Sequence, residues 1–156
     1  MIKKIKIGLI AVTCIIFIAW LFIWPYRTSG NCMEPAVKDG QFVFLNRMAP
    51  YIRHYQIGDI ILFKHDGKVW ISRIVALETD TIQIAEGKII VNGVILQEPT
   101  VHRNWANWMH GEYAISKPLQ VSRGHVFVLS DNLSAQHDDS RFLGPISKKS
   151  ILGLVW

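Results

Sequence analysis

Hydrophobic residues are concentrated at one end of this chain. From residue 7 to residue 24 it reads IGLIAVTCIIFIAWLFIW, 18 positions without a charge, and Pro25 ends the run. At 1.5 Å per residue, a helix of that length covers roughly 27 Å, close to the ~30 Å hydrocarbon core of a bilayer. The run predicts a membrane anchor. The competing reading is a cleaved secretory leader, whose apolar stretch is roughly 7 to 15 residues and is followed by a small-residue processing site. Here the run is longer and closes on Trp20 and Trp24, which suit a membrane interface, so a retained anchor is expected. Cys14, inside the run, reads as an apolar packing residue.

Beyond the anchor the pattern changes to short β-branched and aromatic runs separated by turn residues. Strands are expected at 41–46, 59–64, 69–77, 81–85, 88–91, 94–96, 125–130 and 151–155. Asp66-Gly67 and Asn92-Gly93 mark the tightest hairpins, because both central residues of a type I′ turn need positive φ. Residues 97–119 break the alternation, with Trp105, Trp108, Met109 and Tyr113 among polar neighbours. They read as an irregular excursion whose aromatics make local core, ahead of an apolar surface for a bilayer or a substrate. The expected architecture is mainly β, with antiparallel sheets behind one N-terminal transmembrane helix. It divides into a basic segment at 1–6, the anchor at 7–24 and an exported domain at 31–156.

Composition and charge narrow the chemistry. A chain of 156 residues holds one domain, and two cysteines exclude a disulfide-stapled miniprotein. No paired Cys/His spacing argues for zinc, so neither metal nor cofactor is expected. Of the net charge of +5, residues 1–30 hold +4 through Lys3, Lys4, Lys6 and Arg27 with no acid, leaving +1 for 31–156. A nearly neutral domain lacks the electrostatic footprint of a nucleic-acid binder. The basic cluster before the anchor predicts a cytoplasmic N-terminus and an exported domain.

The segments that carry chemistry lie in a fixed order. Thr28-Ser29-Gly30-Asn31-Cys32-Met33-Glu34-Pro35 stands just outside the anchor, followed by residues 57–64 (IGDIILFK) and 71–75 (ISRIV). Near the end come Ser130-Asp131-Asn132 and then residues 138–145 (DDSRFLGP). In that order and spacing the chain resembles the type I signal peptidase family, including its conjugation-associated pilin-maturation branch. The resemblance runs from the anchor to the C-terminus. It implies antiparallel β-sheets of the signal-peptidase type, tethered to the inner membrane by a single pass, and cleavage of exported precursors after small residues. The implied partners are an exported precursor polypeptide and the lipid bilayer.

The resemblance also assigns roles. In the family, a nucleophilic Ser precedes Met-x-Pro, a Lys general base precedes the Arg of the Arg-Ile/Val-Ile/Val strand, and a supporting Ser stands two positions before the Asp of Asp-Ser-Arg. This chain departs at all three positions, with Cys32, Ser72 and His137 respectively, and its loop between Asn132 and Asp139 is one residue longer. A hydroxyl nucleophile needs a strong adjacent base, whereas a thiol is already a few per cent thiolate near neutrality and is served by an imidazole. Cys32 with His137 is therefore expected as a replacement pair, with Asp138 or Asp139 orienting the ring. Ser72 becomes a small hydrogen-bonding residue. The Cys32 N–H is the expected oxyanion donor, with Ser29 or Asn31 beside Gly30 as the second. Asp139, Ser140 and Arg141 steady the site, Met33 is expected toward the substrate pocket or the core, and Pro35 rigidifies the turn on the substrate side. The alternative is a catalytically inactive homologue that binds exported subunits as an assembly factor.

Overall fold

A computed structural model describes residues 2–96, 111–115, 117–132 and 139–156. The chain begins with helix α1, Ile2–Phe22, 21 residues long. Its last residue falls two positions before Trp24, the end of the apolar run. Residues Ile23–Arg27 leave the helix as strand β1, which pairs antiparallel with β2 (Phe42–Asn46) from Ile23↔Asn46 to Arg27↔Phe42. Pro25 has no amide proton to give a ladder, and it is accommodated because β1 is an edge strand. Among the described residues, no helix is long and apolar enough to cross a membrane. The anchor therefore rests on the sequence pattern and returns below as a proposal.

Two antiparallel sheets follow. The first joins β1 and β2 to β3 (Ile60–His65), β4 (Lys68–Ala76), β9 (His125–Leu129), β10 (Ile146–Ser147) and β11 (Ile151–Val155), in the order β1-β2-β11-β3-β4-β9-β10. The second holds β5 (Thr81–Ala85), β6 (Lys88–Val91), β7 (Val94–Ile95) and β8 (Leu119–Gln120), in the order β7-β6-β5-β8. Short helices α2 (Ala49–Ile52) and α3 (Ser140–Leu143) complete the described part.

Alternation along β2 buries Val43 and Leu45 while Phe42 and Phe44 face out. In β3, Ile61, Leu62 and Phe63 are all buried, as a strand covered on both faces requires. Both hairpins fold as their turn residues predict, with φ of 48° and 75° at Asp66 and Gly67 and of 52° and 81° at Asn92 and Gly93. Asn92 also ties its turn to β5, accepting from the Thr81 N–H and donating to Asp80. Between the sheets, Val75, Ile82, Ile84, Phe127 and Leu129 form one apolar cluster.

Of the excursion expected at 97–119, the described residues are mostly bends and irregular backbone: Ala114 is buried in the inter-sheet cluster, Ile115 makes an isolated bridge with Ile84, and Leu119 enters β8. Trp105, Trp108 and Met109 lie outside the described residues.

Candidate active site

Cys32 begins a tight turn whose frame comes from short polar side chains. The Thr28 hydroxyl lies 2.8 Å from the Lys38 carbonyl and 3.0 Å from that of Gln41. The Gly30 N–H donates to Asp39 at 2.8 Å, at a φ of 96° that favours glycine. One helical-type bond, from the Val37 N–H to the Met33 carbonyl at 2.8 Å, closes the turn. Met33 is buried beside Val37, Leu45, Leu62 and Ile71, so it anchors the turn in the core. Pro35 is exposed.

Strand β4 supplies the opposing surface. β9 pairs with β4 only as far as Arg73↔Leu129, so the stretch of β4 before Arg73 has no β9 partner. Cys32 lies against that stretch, with Sγ 4.0 Å from the Ile71 carbonyl. The Ser72 hydroxyl donates to the same carbonyl at 2.8 Å. The chain leaving β9 holds the turn from behind: the Asn132 N–H donates to the Cys32 carbonyl at 2.8 Å, and Asn132 Nδ2 to that of Asn31 at 2.9 Å. Two of the three altered positions, Cys32 and Ser72, thus meet at one carbonyl.

Two buried ion pairs brace this junction. Arg73 donates from Nε and Nη2 to the Asp131 carboxylate at 2.8 and 2.6 Å, and from Nη1 to the Gly58 carbonyl at 2.7 Å. Arg141 forms the matching fork on Asp139 at 2.8 and 2.9 Å. Asp139 also caps α3 by accepting from the Arg141 N–H, and it accepts from the Ser130 N–H at 3.3 Å. The Ser140 hydroxyl accepts from the Val128 N–H. Residues 139–141 thus tie α3 to the end of β9. Gly111 rests on this support, because a Cβ there would meet Arg141 Cβ at 2.7 Å and its carbonyl at 2.9 Å. With a φ of 147° as well, Gly111→Ala is expected to lose about 1–3 kcal/mol in thermal or urea denaturation.

Electrostatics at Cys32 favour the neutral thiol. Burial pushes its pKa up, and the Asp131 and Asp139 carboxylates add to the rise, while the N–H groups of Cys32 and Met33 oppose it. Alkylation by iodoacetamide at neutral pH is accordingly expected to be slower than for a free thiol, and to accelerate only above the ordinary value of 9.0. The sign for stability follows. Below the unfolded thiol's pKa the native advantage is complete, and it falls as pH rises beyond it because the unfolded state ionises first. Cys32→Ala removes that loss from the pH–stability curve.

Cys32 and the exposed Ser29 line a cavity of about 310 Å³ with Tyr26, Lys68, Val69, Trp70 and Ile71. Tyr26, Lys68 and Trp70 were not singled out from the sequence, since only the register of β1 and β4 brings them to Cys32. Arg73, Asp131 and Asn132 stood inside the quoted segments, which was the available signal, but their pairing across 58 positions was not legible. His137 and Asp138 lie outside the described residues.

Comparison with known proteins identifies the family. The family model described as signal peptidase, peptidase S26, matches residues 1–156. A signal peptidase I of Bacillus amyloliquefaciens is 28% identical over 151 residues, covering 95% of this chain and 82% of the relative. One of Bacillus licheniformis is 28% identical over 96% of this chain and 83% of its own length. The crystal structure of a signal peptidase I from Enterococcus faecalis superposes with a TM-score of 0.54 at 28% identity, over 66% of this chain and 97% of that one.

Proposed function

The chain belongs to the signal peptidase family, peptidase S26, and from that premise we propose that it is an endopeptidase that processes an exported precursor, a secreted protein or a pilin subunit, with Cys32 as nucleophile. The observation that carries this reading is the thiol on the wall of an open cavity, 4.0 Å from the Ile71 carbonyl at the part of β4 that β9 leaves unpaired. An extended substrate adds to that edge by main-chain hydrogen bonds, with small side chains seated at alternate positions.

The resting thiol is neutral, so the reaction needs a base. Ser72 cannot be that base, because a neutral hydroxyl is far too weakly basic to take a thiol's proton. Asp131 and Asp139 are committed to their arginines. His137 is the assigned group, oriented by Asp138. Cys32 Sγ attacks the scissile carbonyl as its proton passes to the imidazole. The C–N bond then breaks as that proton goes to the leaving amine, and water hydrolyses the thioester. The Cys32 N–H, with Ser29 or Asn31, receives the developing oxyanion.

α1 serves as the tether. Its described apolar residues Ile7, Leu9, Ile10, Val12, Phe17 and Trp20 are all exposed, which water disfavours and lipid does not. With Lys3, Lys4 and Lys6 in its first turns, ahead of the apolar run, the N-terminus is cytoplasmic and the β domain exported.

One observation favours a second reading, in which the protein binds precursors without cutting them: burial holds the thiol protonated. Precursor processing in cells carrying Cys32→Ala separates the two. Loss of the mature product supports the peptidase, and unchanged processing overturns it.

A further inference from the structure

A second cavity, of about 680 Å³, opens where α1 gives way to β1. Its walls include Phe22, Arg47, Tyr51, Tyr55, Lys148 and Lys149. The Arg47 N–H donates to the Phe22 carbonyl at 3.1 Å, which ties this residue's backbone to the helix exit, and its side chain lines the cavity there. Lys148 is held by Glu78 at 2.8 Å, so part of its charge is already answered. Among the described residues, no carboxylate pairs with Arg47 or Lys149, and no acid lines the cavity. The surroundings are apolar and exposed: Tyr51 at 84% and Ile52 at 74% lie on one side, and the Trp20–Trp24 ring pair stands at the end of α1. Burial keeps the Tyr55 phenol protonated to higher pH than usual, which leaves it a hydrogen-bond donor.

A cation-lined hollow beside an apolar helix and exposed aromatics fits an anion that carries an apolar tail. We propose that this cavity binds the phosphate of an anionic phospholipid headgroup, with Arg47 and Lys149 as its cations. The choice of a lipid over a free phosphate rests on reading α1 as the tether. Such a contact holds the domain at a set height and tilt on the bilayer, which decides how a membrane-borne precursor reaches Cys32.

The full chain in dodecyl maltoside micelles, titrated with phosphatidylglycerol, phosphatidylcholine or glycerol 3-phosphate and followed by native mass spectrometry, tests this. Phosphatidylglycerol is expected to bind at least about tenfold tighter than phosphatidylcholine. That preference should vanish in the Arg47→Ala/Lys149→Ala double variant and shrink in Lys149→Glu; both positions are exposed, so the fold is retained. A preference unchanged in the variants overturns the site. Equal binding of glycerol 3-phosphate makes it a free-phosphate site and overturns the lipid assignment. Flotation with pure phosphatidylcholine vesicles examines the tether by itself: failure to float removes α1 as anchor, while the micelle titration still decides the cavity.

Discussion

Asp131→Ala is expected to destabilise the domain by about 3–5 kcal/mol, because it leaves the Arg73 guanidinium buried with, among the described residues, only the Gly58 carbonyl as partner. The two side chains are 7% and 1% exposed, so water cannot take over the lost contacts. Urea denaturation measures the effect as a lower midpoint, and a loss under about 1 kcal/mol would count against it. Arg53→Ala is the control. Its pair with Asp59 is comparably close at 2.7 Å, but the arginine is 41% exposed, and the expected cost is no more than about 1 kcal/mol. The damage at Asp131 also reaches the chemistry, since the adjacent Asn132 holds the carbonyls of Asn31 and Cys32.

His137→Ala is expected to slow precursor processing by roughly 10²–10⁴-fold, the usual contribution of a positioned general base. The pH dependence carries the diagnostic. With the imidazole as base, the parent's activity rises toward neutrality, because only a neutral ring can take the thiol's proton. Without it, residual activity must wait for spontaneous thiol ionisation, which burial has moved upward, so the rise shifts to strongly alkaline pH. Ser72→Ala should leave processing within a few-fold, because that hydroxyl serves a carbonyl and not the thiol. A His137→Ala enzyme with an unchanged profile would sink the imidazole's role.

Much of the sheet architecture was legible because strand length and turn chemistry are local. The two-residue turns at 66–67 and 92–93 need positive φ at both positions, and Asp-Gly and Asn-Gly supply it. β1 was hidden by its neighbour: Ile23 and Trp24 continue the apolar run of α1, and only pairing with β2 makes them a strand. β8 and β10 are two residues each, too short for any period to show. At the site, the sequence marked Cys32 as a candidate and Ser72 as a hydrogen-bonding residue. That both would turn to the Ile71 carbonyl depends on where β9 stops, a tertiary fact that no local pattern carries. Met33 was expected near the substrate or core, and its burial with Leu62 and Ile71 comes from the turn's rotation.

The order of strands has a consequence for biogenesis. β11 lies between β2 and β3 although it follows them by about a hundred positions, and its fit depends on Gly153, where a Cβ would fall 2.6 Å from the Asn46 carbonyl. An emerging polypeptide can form the β3–β4 hairpin early, yet the two halves of the large sheet stay unjoined until residues 151–155 arrive. Until then the exposed edges of β2 and β3 invite pairing with other chains. The protein therefore matures as a unit, after its polypeptide has been delivered, and any damage to that last strand is felt at the first.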